Sequence, residues 1–148
     1  MAAPDADGFY FPNPLGTDVM EWFEYAGKLD SHGLENDARR AYETVWALGL
    51  GKLPTEDRPR FFLQYGSTLR NLKELKAAET VLAEGCRLYP DHAALKLFKA
   101  FAECSAGNHE QAAKTLMRLV SDVGVHPSLK EYKKSIDYYI DEIVSKHD

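Results

Sequence analysis

Cysteine is scarce in this chain of 148 residues, with only Cys86 and Cys104 present. Their spacing is not CxxC, which excludes a paired metal or redox site of that kind, and two thiols make no disulfide scaffold. Cys86 falls where a helix buries its face and reads as a core thiol. Cys104 reads either as a second core thiol or as a residue whose helix position faces a groove. Long apolar runs are also missing: none approaches the roughly 18 residues needed to cross a bilayer. Residues 1–15 have neither the basic start nor the apolar centre of a secretory signal. Together these absences predict a cytoplasmic chain with no membrane partner.

Chemistry-bearing motifs are equally sparse. His32, His92, His109, His126 and His147 are scattered, and none forms His-x-x-x-His or HExxH, so no metal is expected. There is no glycine-rich phosphate loop, and no nucleophile has an obvious base in sequence. Neither catalysis nor a cofactor is therefore expected. An excess of positive charge is lacking too. The net charge is −5, which argues against a nucleic acid partner, because duplex binding calls for a basic stripe. Residues 1–57 hold 11 acids and 4 bases, whereas residues 58–148 hold 12 acids and 14 bases. That asymmetry suits self-association, and a solvated surface explains it equally well.

What is present is a pattern that recurs three times. A small residue sits mid-helix, a Gly or Lys marks a turn, an Ala follows five residues later, and a bulky apolar residue follows four after that. The first copy is Trp22, Tyr25, Ala26, Leu29, Gly33, Ala38 and Tyr42. The second is Phe62, Tyr65, Gly66, Leu69, Lys73, Ala78 and Leu82, closed by Pro90. The third is Ala100, Gly107, Ala112 and Leu116. The step from Ala78 to Ala112 is 34 residues, the period of a helix–turn–helix solenoid unit, and the step from Ala38 to Ala78 is 40.

Turn and capping signals set the element boundaries. Proline and glycine at Pro4, Gly8, Pro12, Pro14 and Gly16 forbid a long helix at the start. Residues 1–17 are predicted to be an extended or disordered arm, whose Phe9, Tyr10 and Phe11 would tuck against the first helix pair or dock on a neighbouring molecule. Residues 18–148 form a single domain, with repeats at about 19–54, 59–92 and 93–126. Asp18 with Glu21 and Ser128 with Glu131 resemble capping boxes, and Thr55 is placed to cap the third helix. Leu48, Leu50 and Leu53 lie in a loop and raise the expectation of a dimer contact. The last stretch, about 127–146, puts Leu129, Tyr132, Ile136, Tyr139, Ile140 and Ile143 on one stripe, as a terminal capping helix requires. The fold predicted is all-α, with seven helices: three helix–turn–helix pairs plus a C-terminal cap.

Antiparallel helices approach closely only where small residues meet. Ala26, Gly66, Ala38, Ala78 and Ala112 are the expected contact points. Trp22, Tyr25, Tyr42, Phe62, Tyr65, Leu82 and Leu116 are expected to fill the space around them.

The motif Trp-x-x-Tyr-Ala-x-x-Leu…Gly…Ala-x-x-x-Tyr, then Phe-x-x-Tyr-Gly-x-x-Leu…Ala-x-x-x-Leu…Pro, resembles the tetratricopeptide repeat (TPR). The resemblance covers roughly Val19 to Ser121. It departs in repeat three, where Lys96, Lys99 and Glu103 stand where large apolar residues are usual and Leu97, Phe98 and Phe101 suggest a shifted or rotated first helix. Gly66 to Asn71, Gly107 to Ala112 and Tyr132 to Tyr139 look more narrowly like the small bacterial group-five TPR proteins. The resemblance implies a right-handed superhelix whose concave face holds a peptide or a partner helix, and it implies a homodimer as one arrangement.

Carried onto this chain, the groove positions of the family are Phe23, Glu24 and Gly27 in repeat one. In repeat two they are Leu63, Gln64, Ser67, Arg70 and Asn71, and in repeat three Leu97, Phe98, Phe101 and Cys104. Arg70 and Asn71 are the best polar pair, although both also read as an ordinary helix end, a solvated cation and a C-cap. Phe98 and Phe101 read either as a groove wall or as packing beneath the last helix. The expected function is protein–protein interaction through this concave face. The alternatives are a homodimer whose groove is filled by its own C-terminal helix or a second copy, and a helical-bundle enzyme or small-ligand binder with an enclosed pocket.

Overall fold

A computed structural model describes residues 3–4, 10–11, 14, 16–124 and 127–147. The helices are α1 (Val19–Ser31), α2 (Glu35–Leu48), α3 (Asp57–Asn71), α4 (Leu75–Leu88), α5 (Ala93–Ser105), α6 (His109–Val123), α7 (Pro127–Glu131) and α8 (Lys133–His147). A short 3-10 turn, Leu50–Lys52, bridges α2 and α3. In the arm, Ala3–Pro4 pairs antiparallel with Tyr10–Phe11, a two-residue ladder that the sequence reading did not anticipate. Phe9 lies outside the described residues, so how the aromatic cluster packs does too.

The helices form hairpins, α1 with α2, α3 with α4, and α5 with α6. Each following first helix packs on the pair before it, and α8 packs on α6. This is the all-α repeat fold that the spacing predicts. No described helix is long and apolar enough to cross a membrane.

The small residues do what their positions imply. Ala26, Ala38, Ala78 and Ala112 are all buried. A methyl on Gly66 would come within 2.4 Å of Leu82 Cγ, so only glycine admits that leucine. Gly85, which the sequence reading passed over, has the same role in the following helix. A methyl there would meet Phe62 Cβ at 2.7 Å and Leu95 Cδ2 at 3.1 Å.

The turn inside each hairpin repeats in detail. Gly33, Lys73 and Gly107 all take positive φ, at 75°, 65° and 86°. In each copy the next amide reaches back into the helix: Leu34 to Leu29 O, Glu74 to Leu69 O and Asn108 to Glu103 O, each at 2.9 Å. These are αL helix endings that satisfy otherwise free carbonyls. Lys73 adopts there a conformation that glycine takes without a Cβ penalty.

Several local expectations are corrected. Asp18 does cap α1, accepting from the Met20 and Glu21 amides. Thr55 does not cap α3, whose N-cap is Glu56 without a side-chain bond. Ser128 lies inside α7, and the expected single last helix is divided at Tyr132. Asn71 is the last residue of α3, whose C-cap is Leu72. Leu53 is buried, and Leu48 and Leu50 pack partly against the same core, so these loop leucines serve the monomer and leave little for a dimer contact. Leu116 does not fill the core; it is 39% exposed.

Candidate functional site

A trough of about 310 Å³ runs between the first helices α1 and α3. Its α1 side is formed by Met20, Phe23, Glu24, Gly27, Lys28 and Ser31, and its α3 side by Arg60 and Gln64. These residues recur three or four apart and so share one face of each helix. Phe23 is nearly buried and makes the floor, fixed from below by Tyr42 and Phe61, whose ring centroids lie 6.3 and 6.2 Å away. Glu24 stands exposed on the rim. Gly27 removes a side chain from the middle, and a methyl there would touch only Gln64 Oε1, at 3.7 Å.

Polar groups tie the trough to the core behind it. Tyr42 Oη lies 3.2 Å from both Asp30 Oδ2 and Gln64 Oε1. Thr68, fully buried, donates to Asp30 Oδ2 at 2.6 Å. Burial pushes the Asp30 carboxyl above its usual range, while the bonds from Thr68 and Tyr42 pull it partly back. Burial, reinforced by Asp30, raises Tyr42 far above an ordinary phenol. On the wall, Arg60 is held by Asp57 at 2.8 Å, the carboxylate being almost fully buried.

Further along α3 the same face meets α5. Arg70 Nε donates to Ser105 Oγ at 2.8 Å, and its guanidinium lies 5.7 Å from the centre of the Phe101 ring. Arg70 is therefore no freely solvated helix-end cation; it is stretched between repeats two and three. Phe101, 38% exposed, stands over this junction, whereas Phe98 leans on the core with its ring 5.4 Å from that of Phe101. The reading that Phe101 packs beneath the last helix is thereby corrected. Cys104 is exposed, its sulfur 3.5 Å from His109 Nδ1.

The sequence-derived groove residues thus fall into three groups. Phe23, Glu24, Gly27 and Gln64 converge on the trough. Arg70 and Phe101 form the junction with α5, with Ser67 one turn before Arg70 on α3 and Asn71 exposed beside it. Leu63 and Phe98 belong mainly to the core, and Leu97 is half-buried on α5. Met20, Lys28, Ser31, Arg60 and Ser105 were missed. Moving four residues from Glu24, Gly27, Gln64 and Phe101 along each helix would have found all five.

The third first helix is neither shifted nor rotated as its sequence suggested. Leu95, Ala100, Ala102 and Glu103 face inward, at the repeat positions of Phe61, Gly66, Thr68 and Leu69. Glu103 is only 4% exposed, and it is satisfied by Thr115 Oγ1 at 2.9 Å and Lys99 Nζ at 3.7 Å.

A family profile described as the tetratrico peptide repeat matches residues 19–143. The chain belongs to the tetratricopeptide-repeat family. No curated protein matches it. Repeats of this family generally mediate protein–protein interaction.

Proposed function

We propose that this TPR protein is a non-catalytic interaction module that binds a peptide or partner helix along the face made by α1, α3 and α5. The observation that carries this reading is the trough itself, open to solvent, floored by Phe23 and walled by polar groups whose partners hold them in place. Such preorganisation reduces the ordering cost of binding. Glu24, Gln64, Ser67, Arg70, Asn71 and Phe101 are the proposed contact residues, with Phe23 as floor and Leu63, Leu97 and Phe98 as support. Affinity capture from the native cell with wild type, Gln64→Ala and the paired Arg70→Ala, Phe101→Ala variant tests it. Proteins retained by wild type and lost by the variants uphold the reading. Retention of the same proteins by every variant removes it.

A homodimer is a second reading, favoured by one specific surface. Between α6 and α8 an apolar hollow of about 380 Å³ is lined by Leu116, Met117, Val120, Ile136, Tyr139 and Ile140. Val120 and Tyr139 are 49% and 60% exposed there. The last helix packs on α6, and none of its described residues is among those lining the α1–α3 trough. Sedimentation at micromolar concentration decides the dimer: a strict monomer removes it, and a dimer broken by Val120→Asp supports it.

A further inference from the structure

Asp30, Tyr42, Thr68 and Gln64 form a chain of hydrogen bonds that ends in the trough, and following its protons defines what the trough offers. The Thr68 hydroxyl lies 2.6 Å from Asp30 Oδ2, the separation of a hydroxyl donating to a charged carboxylate. Tyr42 has a single hydroxyl proton but two acceptors at 3.2 Å, Asp30 Oδ2 and the Gln64 amide. The charged acceptor makes the stronger bond, so the proton belongs to Asp30. Tyr42 thus donates to Asp30, and towards Gln64 its oxygen can only accept. A half-turn of the Gln64 amide satisfies it by bringing the nitrogen towards Tyr42, which leaves the amide oxygen for the trough.

The surroundings favour the same polarity. Glu24 stands exposed on the facing rim, while the guanidinium of Arg60 is already engaged by Asp57. Lys28 is the opposing charge in the lining, but it is exposed, and its flexible stem lets the ammonium turn out to solvent. Phe23 and Met20 add an apolar floor beside these acceptors. Long basic side chains combine an apolar stem with a donor-only head, which matches that arrangement. Resting on the peptide-binding reading of this face, we infer that the α1–α3 trough takes a lysine or arginine of the partner. Its methylenes lie over Phe23 and Met20, and its N–H groups donate to Gln64 Oε1 and Glu24.

A displayed library of short random peptides, selected on the full chain and on Glu24→Lys, Gly27→Leu and Val120→Asp variants, tests this. Circular dichroism verifies that each variant is folded. The expected winners carry Lys or Arg beside an apolar residue. They bind about fivefold more weakly to Glu24→Lys, as an exposed ion pair allows, are lost on Gly27→Leu and are unaffected by Val120→Asp. Winners without a basic residue that are still lost on Gly27→Leu overturn the basic-residue inference and leave the binding face standing. Winners indifferent to Gly27→Leu, or no enrichment at all, overturn both. In the unliganded chain, Overhauser contacts between the Gln64 side-chain amide protons and the Tyr42 ring are expected, and their absence overturns the amide orientation.

Discussion

Repeats one and two, set beside repeat three and the last helices, show one backbone frame held by two different chemistries. In the first half the centre is aromatic. Phe61 is fully buried, and its ring lies 5.5 to 6.2 Å from those of Phe23, Tyr42, Trp46, Phe62 and Tyr65. In the second half, side chains meet through charge. Lys133 reaches Ser121, Asp122 and Asp137; Arg118 pairs with Asp137 and Asp141; Lys96 pairs with Asp122. Where Leu29 and Leu69 fill the first two repeats, Glu103 stands in the third. Apolar burial stabilises roughly in proportion to area, whereas partly exposed ion pairs contribute about 0–1 kcal/mol each. The same turn geometry is therefore compatible with a firm half and a weakly held half, and the trough lies on the firm one.

The largest test of that contrast is Phe61→Ala. It should cost about 3–5 kcal/mol, as deletion of a buried aromatic does, and chemical denaturation would measure it. A loss under about 1 kcal/mol would mean that the aromatic cluster is not the keystone. Next comes Gly66→Ala, which drives a methyl into Leu82; overpacking of about 1–3 kcal/mol is expected despite the better helix propensity of alanine. Glu103→Leu sharpens the comparison from the other side. Combined with Lys99→Met and Thr115→Val, it converts repeat three to the chemistry of the first two and orphans no partner; replacing a buried ion pair whole by well-packed apolar residues is neutral or stabilising, here by about 1 kcal/mol. Thermal unfolding reads the sign, and a clear drop in Tm would show that the carboxylate holds the repeat together.

Two carboxylates divide the halves by pH. Burial raises Asp30, so its stabilising contribution is complete below the unfolded value of 3.8 and is lost as pH rises through its higher folded value. Asp137 is lowered by Ser121 and Lys133, so its contribution is present above 3.8 and is lost as pH falls through its folded value. Denaturation of Asp30→Asn against wild type should therefore give the flatter curve above pH 3.8, and an identical pH slope would contradict the burial of that carboxyl. The smallest effect expected is that of salt. Screening the Lys133 and Arg118 pairs should speed amide exchange in α8 while leaving α3 unchanged. Equal acceleration in both would mean that charge does not distinguish them.

Much of this was legible in the sequence because small residues and turn residues carry strict steric demands. Ala38, Ala78 and Ala112, Gly66, and the turns at Gly33, Lys73 and Gly107 fix the repeat frame without knowledge of any contact. Glu24, Gln64 and Arg70 came from the groove positions that the family resemblance implies, carried onto that frame. What the pattern did not give were relations between side chains far apart in sequence. Thr68 bonding Asp30, Arg70 bridging to Ser105, and the satisfaction of Glu103 by Thr115 depend on rotamers and on stacking distance. Glu103 misled the reading because a charge at an inward position looks like a shifted helix until its partners are seen. The break at Tyr132 was hidden because both flanking segments continue the same amphipathic stripe.

Backbone hydrogen exchange across the whole chain measures most directly whether the trough is borne by the firm half. The account predicts that the amides of α1 to α4, including those around Gly27 and Gln64, exchange slowly as one cooperative unit, while α6 and α8 open at markedly lower free energy. Uniform protection throughout, or faster exchange in α1 and α3 than in α8, would contradict it.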